Sequence, residues 1–221
     1  MDIELLELQW APGQHVSAAW HRAPDSRGPG IVLAHGAGGN LDTPSLVQNA
    51  TDLAKRGFPV FRFNFPYRQA NRRIPDPAPT LEQCYRSVAV QARSLFGETP
   101  LVIGGRSVGG RIASQIAADS PPAGLAGLVF LAYPLHPPGR PEKLRDAHLP
   151  RIQVPMLFLS GTKDTFARRD LLESTLARLP LARIHWLEGA DHSFKIPRRS
   201  AAEVNQLVVD EIVTFVNSLQ V

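Results

Sequence analysis

The chain has 221 residues, of which 43% are hydrophobic and 20% charged, and this balance excludes wholesale disorder. Its 24 Lys and Arg residues against 20 Asp and Glu give a net charge of +4, lower than a dedicated nucleic-acid-binding protein usually shows. The single cysteine, Cys84, excludes an intramolecular disulfide framework and a cysteine-rich zinc site. We therefore expect one domain spanning residues 1–221, with no nucleic-acid partner.

The amino-terminal residues and the apolar runs bear on the compartment. Residues 1–7 contain an aspartate and two glutamates where a secretory signal peptide needs a basic end and an apolar core. Apolar runs in the sequence fall well short of the roughly 20 residues that a membrane-spanning helix needs. We therefore expect a cytoplasmic protein without a membrane partner. Cys84 lies inside a helical pattern and is interpreted as a small buried apolar residue.

Apolar periodicity predicts the elements in chain order. The chain opens with two strand patterns separated by an Ala-Pro-Gly turn, which predict an antiparallel hairpin. Short apolar strands then alternate with longer helical patterns to the end of the chain. The predicted strands are 3–10, 16–21, 31–34, 60–65, 101–103, 128–132, 156–159 and 183–187, and the predicted helices are 45–55, 81–96, 108–118, 166–179 and 201–219. Thr80 is the predicted N-cap of helix 81–96, and Gly97 its stop.

This alternation predicts an α/β fold, a doubly wound and mostly parallel sheet with helices on both faces. Two stretches, 66–79 and 134–155, have the composition of loops. The second contains only about 20 residues, which is too few for a cap domain, so we expect an open and shallow site.

The motif Gly105-Arg106-Ser107-Val108-Gly109 follows one predicted strand and opens a helix. This is the strand–turn–helix context of a nucleophile elbow, in which a sharp turn pushes the serine hydroxyl out over the end of the sheet. A side chain at Gly105 or Gly109 would strike the neighbouring strand or helix. A glycine-rich turn with a purely structural serine has the same pattern, so other features of the chain decide between these interpretations.

Three further segments supply those features. The loop His35-Gly36-Ala37-Gly38-Gly39 follows an early strand, Asp164 follows the strand at 156–159, and His192 follows the last strand. In hydrolases with a nucleophile elbow, the catalytic residues follow one another along the chain as serine, acid and histidine. This chain has the same order, which differs from the orders in other serine hydrolases. Because the carboxyl ends of parallel strands share one edge of a sheet, we expect Ser107, Asp164 and His192 to converge there.

Each of these residues also has an ordinary structural interpretation. Asp164 could be a turn residue or a helix cap, and an isolated loop histidine such as His192 is usually solvated. Asp191 is a rival for the acid because it adjoins His192, although neighbouring loop residues seldom point their side chains together. We assign His35 to the scaffold of its loop. His136 and His148 could line the entrance to the site, but we expect them to be solvated loop residues.

On these motifs the chain resembles the α/β-hydrolase superfamily over nearly its whole length. The short motifs Phe63-Asn64-Phe65-Pro66-Tyr67 and Tyr133-Pro134-Leu135 resemble the small dienelactone-hydrolase-like group, which includes testis-expressed proteins and a subunit of the NSL histone acetyltransferase complex. Dienelactone hydrolases use a cysteine nucleophile, and this chain has Ser107 at that position. The resemblance implies a reaction class rather than a particular substrate.

The resemblance implies a serine hydrolase acting on a carboxylic ester or thioester of a small acyl substrate. Ser107 is then the nucleophile, His192 the general base, and Asp164 the residue that orients the imidazole. The backbone N–H groups of Ala37 and Val108 form the oxyanion hole. We expect neither a metal nor an organic cofactor.

Substrate-binding candidates flank this site. Arg106 lies inside the elbow, and Tyr67 follows the strand that ends near Phe65. Arg68, Arg72 and Arg73 lie in the same loop as Tyr67 and, with Arg106, would suit an anionic acyl substrate, although we favour their interpretation as surface charges or as partners of Asp76. The alternative function is a protein-interaction module that kept the fold without the catalysis.

Overall fold

A computed structural model describes residues 2–23, 26 and 28–219. The described residues form eight strands and six helices, in close agreement with the predicted order. The strands are β1 (Ile3–Ala11), β2 (Gln14–His21), β3 (Gly30–Ala34), β4 (Val60–Phe63), β5 (Leu101–Arg106), β6 (Leu125–Leu131), β7 (Met156–Gly161) and β8 (Ala182–Leu187). The helices are α1 (Pro44–Lys55), α2 (Pro66–Gln69), α3 (Ala78–Leu95), α4 (Val108–Asp119), α5 (Arg169–Leu176) and α6 (Ala201–Asn217).

All eight strands form one sheet in the order β1-β2-β4-β3-β5-β6-β7-β8. The predicted antiparallel hairpin is present, with Leu5 of β1 opposite Ala19 of β2, and β2 continues antiparallel onto β4. Every pair from β4 to β8 is parallel. The parallel strands therefore end at the same edge of the sheet, as the sequence predicted.

The core lies on both faces of the sheet because successive strand residues point to opposite sides. In β6, Phe130 packs on the face covered by α3, α4 and α5, while its neighbours Val129 and Leu131 pack on the face covered by α1 and α6. Helices on both faces of a parallel sheet are the predicted doubly wound arrangement. Cys84 is buried in the first of these cores, as predicted, and burial raises the pKa of its thiol.

Helix boundaries are where the structure departs from the sequence predictions. Thr80 is not an N-cap, because α3 begins two residues earlier at Ala78 and has Pro77 at the cap position. Proline is well suited to a first helical turn, where its missing N–H has no intrahelical partner, so Pro79 does not delay the start. Helix α5 begins at Arg169 and not at 166, and a single turn, α2, forms inside the predicted loop 66–79.

The segment between β6 and β7 contains one short 3₁₀ turn, Leu149–Arg151, and no cap domain. Among the helices of the described residues, none is both long and apolar enough to cross a membrane. The carboxyl ends of β3, β5, β7 and β8 therefore open directly onto the candidate site.

Candidate active site

Ser107 occupies a tight turn between β5 and α4. Its φ of 50° and ψ of −116° lie outside the regions that non-glycine residues usually adopt. The backbone N–H of Ser107 donates to the carbonyl of Leu131 at 2.9 Å, which fixes the turn against β6. Such a strained residue persists only where its surroundings over-determine the backbone, as they commonly do at functional sites.

Two glycines make this turn sterically feasible. A Cβ at Gly105, whose φ is 152°, would lie 2.3 Å from the carbonyl oxygen of Ala34. A Cβ at Gly109 would lie 2.6 Å from the same oxygen and 2.7 Å from that of His35. Real Cβ atoms do not approach backbone oxygens so closely, so both positions need glycine for the elbow to pack on β3.

Ser107, His192 and Asp164 form one continuous hydrogen-bonded chain. The Nε2 atom of His192 lies 2.9 Å from the Oγ of Ser107. Its Nδ1 atom lies 2.8 Å and 3.0 Å from the two carboxylate oxygens of Asp164. With the proton on Nδ1, the imidazole donates to the carboxylate and leaves Nε2 free to accept the serine proton. The structure thus brings together the three residues that the sequence singled out.

Asp164 is held by its own turn at the end of β7. Its side chain has no exposed surface, and its Oδ1 accepts the backbone N–H of Phe166 at 2.7 Å. The ring of Phe166 stacks on the His192 imidazole with 4.2 Å between centroids, which limits the orientations that the imidazole can adopt. Asp164 and Phe166 therefore fix His192 from two sides.

His136 anchors the same turn from beneath. Its backbone N–H donates to the carbonyl of Phe166 at 3.0 Å, and its Nε2 accepts the backbone N–H of Arg168 at 3.1 Å. Only 2% of its surface is exposed, so the expectation of a solvated loop residue was wrong. His148 is also held, because its Nε2 lies 2.7 Å from the Oγ of the buried Ser114.

The His192 loop is closed by the carboxylate of Asp191. One oxygen of that carboxylate accepts the backbone N–H groups of Ser193 at 2.8 Å and Lys195 at 3.0 Å. These bonds form a tight turn around His192 and occupy the Asp191 carboxylate, whereas the imidazole contacts Asp164. The two neighbouring side chains point to different partners, as expected of adjacent loop residues.

The loop after β3 packs directly against the elbow. A Cβ at Gly36 would lie 3.6 Å from the Cβ of Ser107, within ordinary van der Waals contact. Within the described residues, neither Ala37 nor Val108 donates its backbone N–H to a protein acceptor. These two N–H groups, one on the loop and one at the start of α4, are the predicted oxyanion-hole donors.

His35 and Tyr67 hold this loop in place. The His35 Nδ1 lies 2.8 Å from the carbonyl of Gly36, and its Nε2 accepts the backbone N–H of Phe65 at 3.1 Å. Burial lowers the pKa of His35 to about 4, so the ring is neutral at neutral pH. The Tyr67 hydroxyl donates to the carbonyl of Ala37 at 2.9 Å. The interpretation of His35 as scaffold agrees with this placement.

The candidate substrate contacts Tyr67 and Arg106 occupy different environments. The Tyr67 side chain is completely buried, so it offers no surface to a substrate and the expectation that it binds one is corrected. Arg106 is half-buried, and its guanidinium lies 4.8 Å above the Phe194 ring and donates to the backbone carbonyl of His192. Burial lowers the pKa of Arg106, while Asp164 and Asp191 oppose that shift, and the guanidinium remains charged.

Two of the arginines that follow β4 have partners within their own segment. The Arg72 guanidinium lies 2.7 Å from the Asp76 carboxylate, which is the predicted ion pair that competes with substrate binding. Arg68 donates to the carbonyl of Arg72 at 3.2 Å and so stays within its own loop. These two contacts therefore stay within the segment 66–79.

A cavity in the described part of the molecule lies beside the elbow and the His192 loop. It measures about 790 Å³ and lies between the amino-terminal ends of α1 and α6. Arg106 and Ser193, the neighbours of Ser107 and His192, are part of its wall, although Ser107 and His192 themselves are not. The site therefore has a sizeable compartment beside it.

Comparison with known proteins places these features in context. The family model for the alpha/beta hydrolase domain matches residues 28–218. Among solved structures, the chain is similar to an alpha-beta serine hydrolase homologue from Coxiella burnetii, with 19% identity, a TM-score of 0.78, and coverage of 95% of this chain and 97% of that one.

Two other solved structures are similar over most of both chains. One is a serine hydrolase without a lid from Xanthomonas campestris, with 19% identity, a TM-score of 0.75, and coverage of 99% and 97%. The other is a dienelactone hydrolase from Anabaena variabilis, with 18% identity, a TM-score of 0.74, and coverage of 96% and 97%. At these identities the likeness shows the shared fold.

Proposed function

The chain belongs to the alpha/beta hydrolase family, and from that premise we propose that it is a serine hydrolase that cleaves a carboxylic ester or thioester through an acyl-enzyme. The observation that carries the proposal is the unbroken hydrogen-bonded chain from Asp164 through His192 to Ser107. Its spacing suits proton transfer at the imidazole, because both contacts are within normal hydrogen-bond distance.

In the acylation step the Ser107 Oγ attacks the acyl carbon. As the new C–O bond forms, the hydroxyl proton passes to Nε2 of His192, and the carbonyl π electrons move onto oxygen. Asp164 stabilises the imidazolium and holds the tautomer in which Nδ1 carries its proton. Collapse of the tetrahedral intermediate breaks the bond to the leaving group, which takes the proton from His192.

The oxyanion of the tetrahedral intermediate is assigned to the N–H groups of Ala37 and Val108. A donor of this kind contributes about 3 kcal/mol of transition-state stabilisation. The α4 amino terminus adds partial positive charge at the same point. The Tyr67 and His35 hydrogen bonds support this role because they keep the loop rigid before the substrate arrives.

Deacylation repeats the sequence with water as the nucleophile. Nε2 of His192 takes a proton from water, the resulting hydroxide oxygen bonds to the acyl carbon, and Ser107 leaves with the proton returned by His192. The product is a carboxylic acid, and the enzyme returns to its starting state. Without a cap between β6 and β7, water reaches the acyl-enzyme from the open edge of the sheet.

A fluorophosphonate probe tests the proposal directly because it reacts covalently with an activated serine. We expect one label on the wild-type protein, located at Ser107, and no label on Ser107→Ala. Hydrolysis of p-nitrophenyl esters and acyl-thioesters of increasing chain length then separates esterase from thioesterase activity. A folded wild-type protein that takes no label and turns over neither class would favour the alternative of a non-catalytic interaction module.

A further inference from the structure

The cavity beside the candidate site is built from two kinds of wall. Apolar side chains of Phe194, Ile196, Val204 and Val208 form one part of it, and polar or charged groups form the rest. At about 790 Å³ it has the volume typical of small-molecule sites. Arg106 and Ser193, which are adjacent in sequence to Ser107 and His192, belong to its wall.

The charges on this wall are all of one sign. Three basic residues, Arg106, Lys195 and Arg199, line the cavity, and none of the Asp or Glu residues that the structure describes does so. Within the part of the chain that the structure describes, Lys195 and Arg199 have no carboxylate within salt-bridge distance. Arg106 interacts electrostatically with Asp164 and Asp191, and Arg199 with Glu203 beyond salt-bridge distance, so the three basic side chains leave the wall with a net positive charge.

The acidic residues nearby are already engaged with other groups. Asp52 accepts hydrogen bonds from Gln48 at 2.7 Å and from Asn205 at 2.9 Å, which turns these two lining amides toward it. Glu203 closes the capping box of α6 through Ser200. Neither carboxylate lines the cavity or forms an ion pair with Lys195 or Arg199.

The start of α1 adds to the positive potential. Pro44 and Ser45 open this 12-residue helix and line the cavity, and its first turn has no acidic residue and no side-chain cap. An exposed helix amino terminus carries about half a positive charge. The start of α6 adds little, since Ser200 and Glu203 already cap it. The basic side chains and α1 therefore act on the same volume.

We propose that this cavity binds an anionic group of the substrate, so that the preferred substrates are esters or thioesters carrying a carboxylate or another anion on an apolar chain. The inference rests on the proposed function. Lys195 and Arg199 pair with the anion, and the apolar wall formed by Ile196, Val204 and Val208 accepts the methylenes that join it to the acyl carbon. The cavity then determines specificity, while the elbow and His192 perform the chemistry.

Two matched ester pairs test this proposal. In the first, the acyl part carries the charge: p-nitrophenyl hydrogen adipate is compared with p-nitrophenyl hexanoate. In the second, the leaving group carries the charge: the butyrate ester of a carboxylated p-nitrophenol is compared with p-nitrophenyl butyrate. The measured quantity is the ratio of kcat/KM for the charged ester to that for the neutral ester. The ester pair whose ratio changes when the basic residues of the cavity are replaced identifies which part of the substrate, acyl group or leaving group, the cavity holds.

The double variant Lys195→Gln/Arg199→Gln removes the positive charges of these two cavity-lining side chains. We expect the ratio to fall about tenfold for one of the pairs, which is the range for losing close charge pairs. Arg198→Gln is the matched control because Arg198 is exposed, adjoins Arg199 and does not line the cavity. It should leave the ratio within about twofold of the wild type. If the double variant is not folded by circular dichroism, the single variant Arg199→Glu replaces it and should lower the ratio further than Arg199→Gln.

The outcomes separate this inference from the proposed function. Turnover of the neutral esters that disappears in Ser107→Ala, with a ratio that no variant changes, overturns the anion site and leaves the hydrolase proposal intact. An equal fall of the ratio in Arg198→Gln also overturns it, since a general charge effect then explains the result. No turnover of any ester and no fluorophosphonate label overturn the proposed function itself.

Discussion

The guanidinium of Arg106 donates a hydrogen bond to the backbone carbonyl of His192, with 2.5 Å between Nη2 and the oxygen. Arg106 immediately precedes Ser107, so the contact joins the elbow to a loop 86 residues away in sequence. The Phe194 ring beneath the guanidinium keeps it in position. Two hydrogen bonds therefore hold His192 at 2.9 Å from Ser107: one from Arg106 to its backbone carbonyl and one between its Nδ1 and Asp164.

Replacing Arg106 by Gln removes this contact and should misplace His192. We expect kcat for a short neutral ester to fall about 10- to 100-fold with little change in KM, because displacements of about 1 Å in a catalytic group have effects of this size. Arg106→Lys should recover part of the loss, since an ammonium group can donate to the same carbonyl. Steady-state kinetics of the two variants measures the difference.

The exposed Arg73 provides the control for that experiment, because Arg73→Gln removes the same charge without removing the hydrogen bond to the His192 carbonyl. It should leave kcat unchanged. Equal kcat values for wild type and Arg106→Gln would show that the elbow holds its geometry without the arginine, and the positioning role would then be withdrawn.

Replacing Asp164 by Asn should remove most of the activity while keeping the size of the side chain. The amide lets His192 adopt the wrong tautomer, and the corresponding change in a serine protease costs about 10⁴-fold in kcat. We expect a loss of about 10³- to 10⁴-fold here, measured as kcat at neutral pH. Thermal unfolding of the same sample shows whether the variant is folded.

Asp191→Asn is the matched variant, because its amide oxygen can still accept the N–H groups of Ser193 and Lys195. Its kcat should stay within about threefold of the wild type. A larger loss in Asp191→Asn than in Asp164→Asn would assign the acid to Asp191 and contradict the proposed triad.

Tyr67→Phe tests the support of the oxyanion loop. The change removes the hydrogen bond to the Ala37 carbonyl and leaves the ring in place, so stability should fall by about 1 kcal/mol. A loosened loop places the Ala37 N–H less well, and kcat should fall about three- to tenfold with KM nearly constant. Kinetics and urea unfolding of one preparation provide both numbers.

Tyr133→Phe separates the two effects. The buried Tyr133 hydroxyl also donates to a backbone carbonyl, that of Arg145 at 2.7 Å, and this carbonyl lies outside the loop after β3. Its loss should reduce stability by a similar amount and leave kcat unchanged. If both variants lower kcat equally, the effect of Tyr67 is general destabilisation and not loop positioning.

The succession of strands and helices along the chain and the positions of Ser107, Asp164 and His192 could be predicted from the sequence because they depend on short-range rules. A buried apolar run ends, a turn follows, and parallel strands place their carboxyl ends along one edge. The need for glycine at positions 105 and 109 also followed from local geometry. These features do not require knowledge of which side chains meet across the fold.

The roles of His136, Tyr67 and Phe166 could not be predicted, because they depend on contacts between distant segments. By sequence His136 is typical of a solvated loop residue. In the fold it accepts the backbone N–H of Arg168, from the turn that follows β7. The Asp164 side chain accepts the N–H of Phe166, so the chain after β7 forms a turn where the sequence pattern favoured helix. The sequence indicated only that 134–155 is a loop too short for a cap domain, which does not identify a partner for His136.

Acid should destabilise this protein before its carboxylates protonate, because two buried histidines are neutral in the fold. Burial lowers the pKa of His35 to about 4, and burial together with the charge of Arg62 lowers that of His21 to about 4. An unfolded histidine titrates near 6.5, so between pH 6.5 and 4 the unfolded chain binds more protons than the native one. Stability is therefore complete above pH 6.5 and is lost as the pH falls toward 4.

For His35 this linkage should remove about 2 kcal/mol of the free energy of unfolding between pH 7 and pH 5. Urea unfolding of the wild type at the two pH values measures the loss. His35→Gln should be less stable at pH 7 but lose about 2 kcal/mol less on acidification, since it has no group to titrate. His15→Gln, at an exposed histidine, should keep the wild-type pH dependence. If the His35→Gln and wild-type stabilities fall in parallel from pH 7 to pH 5, His35 is not the group that destabilises the acid form.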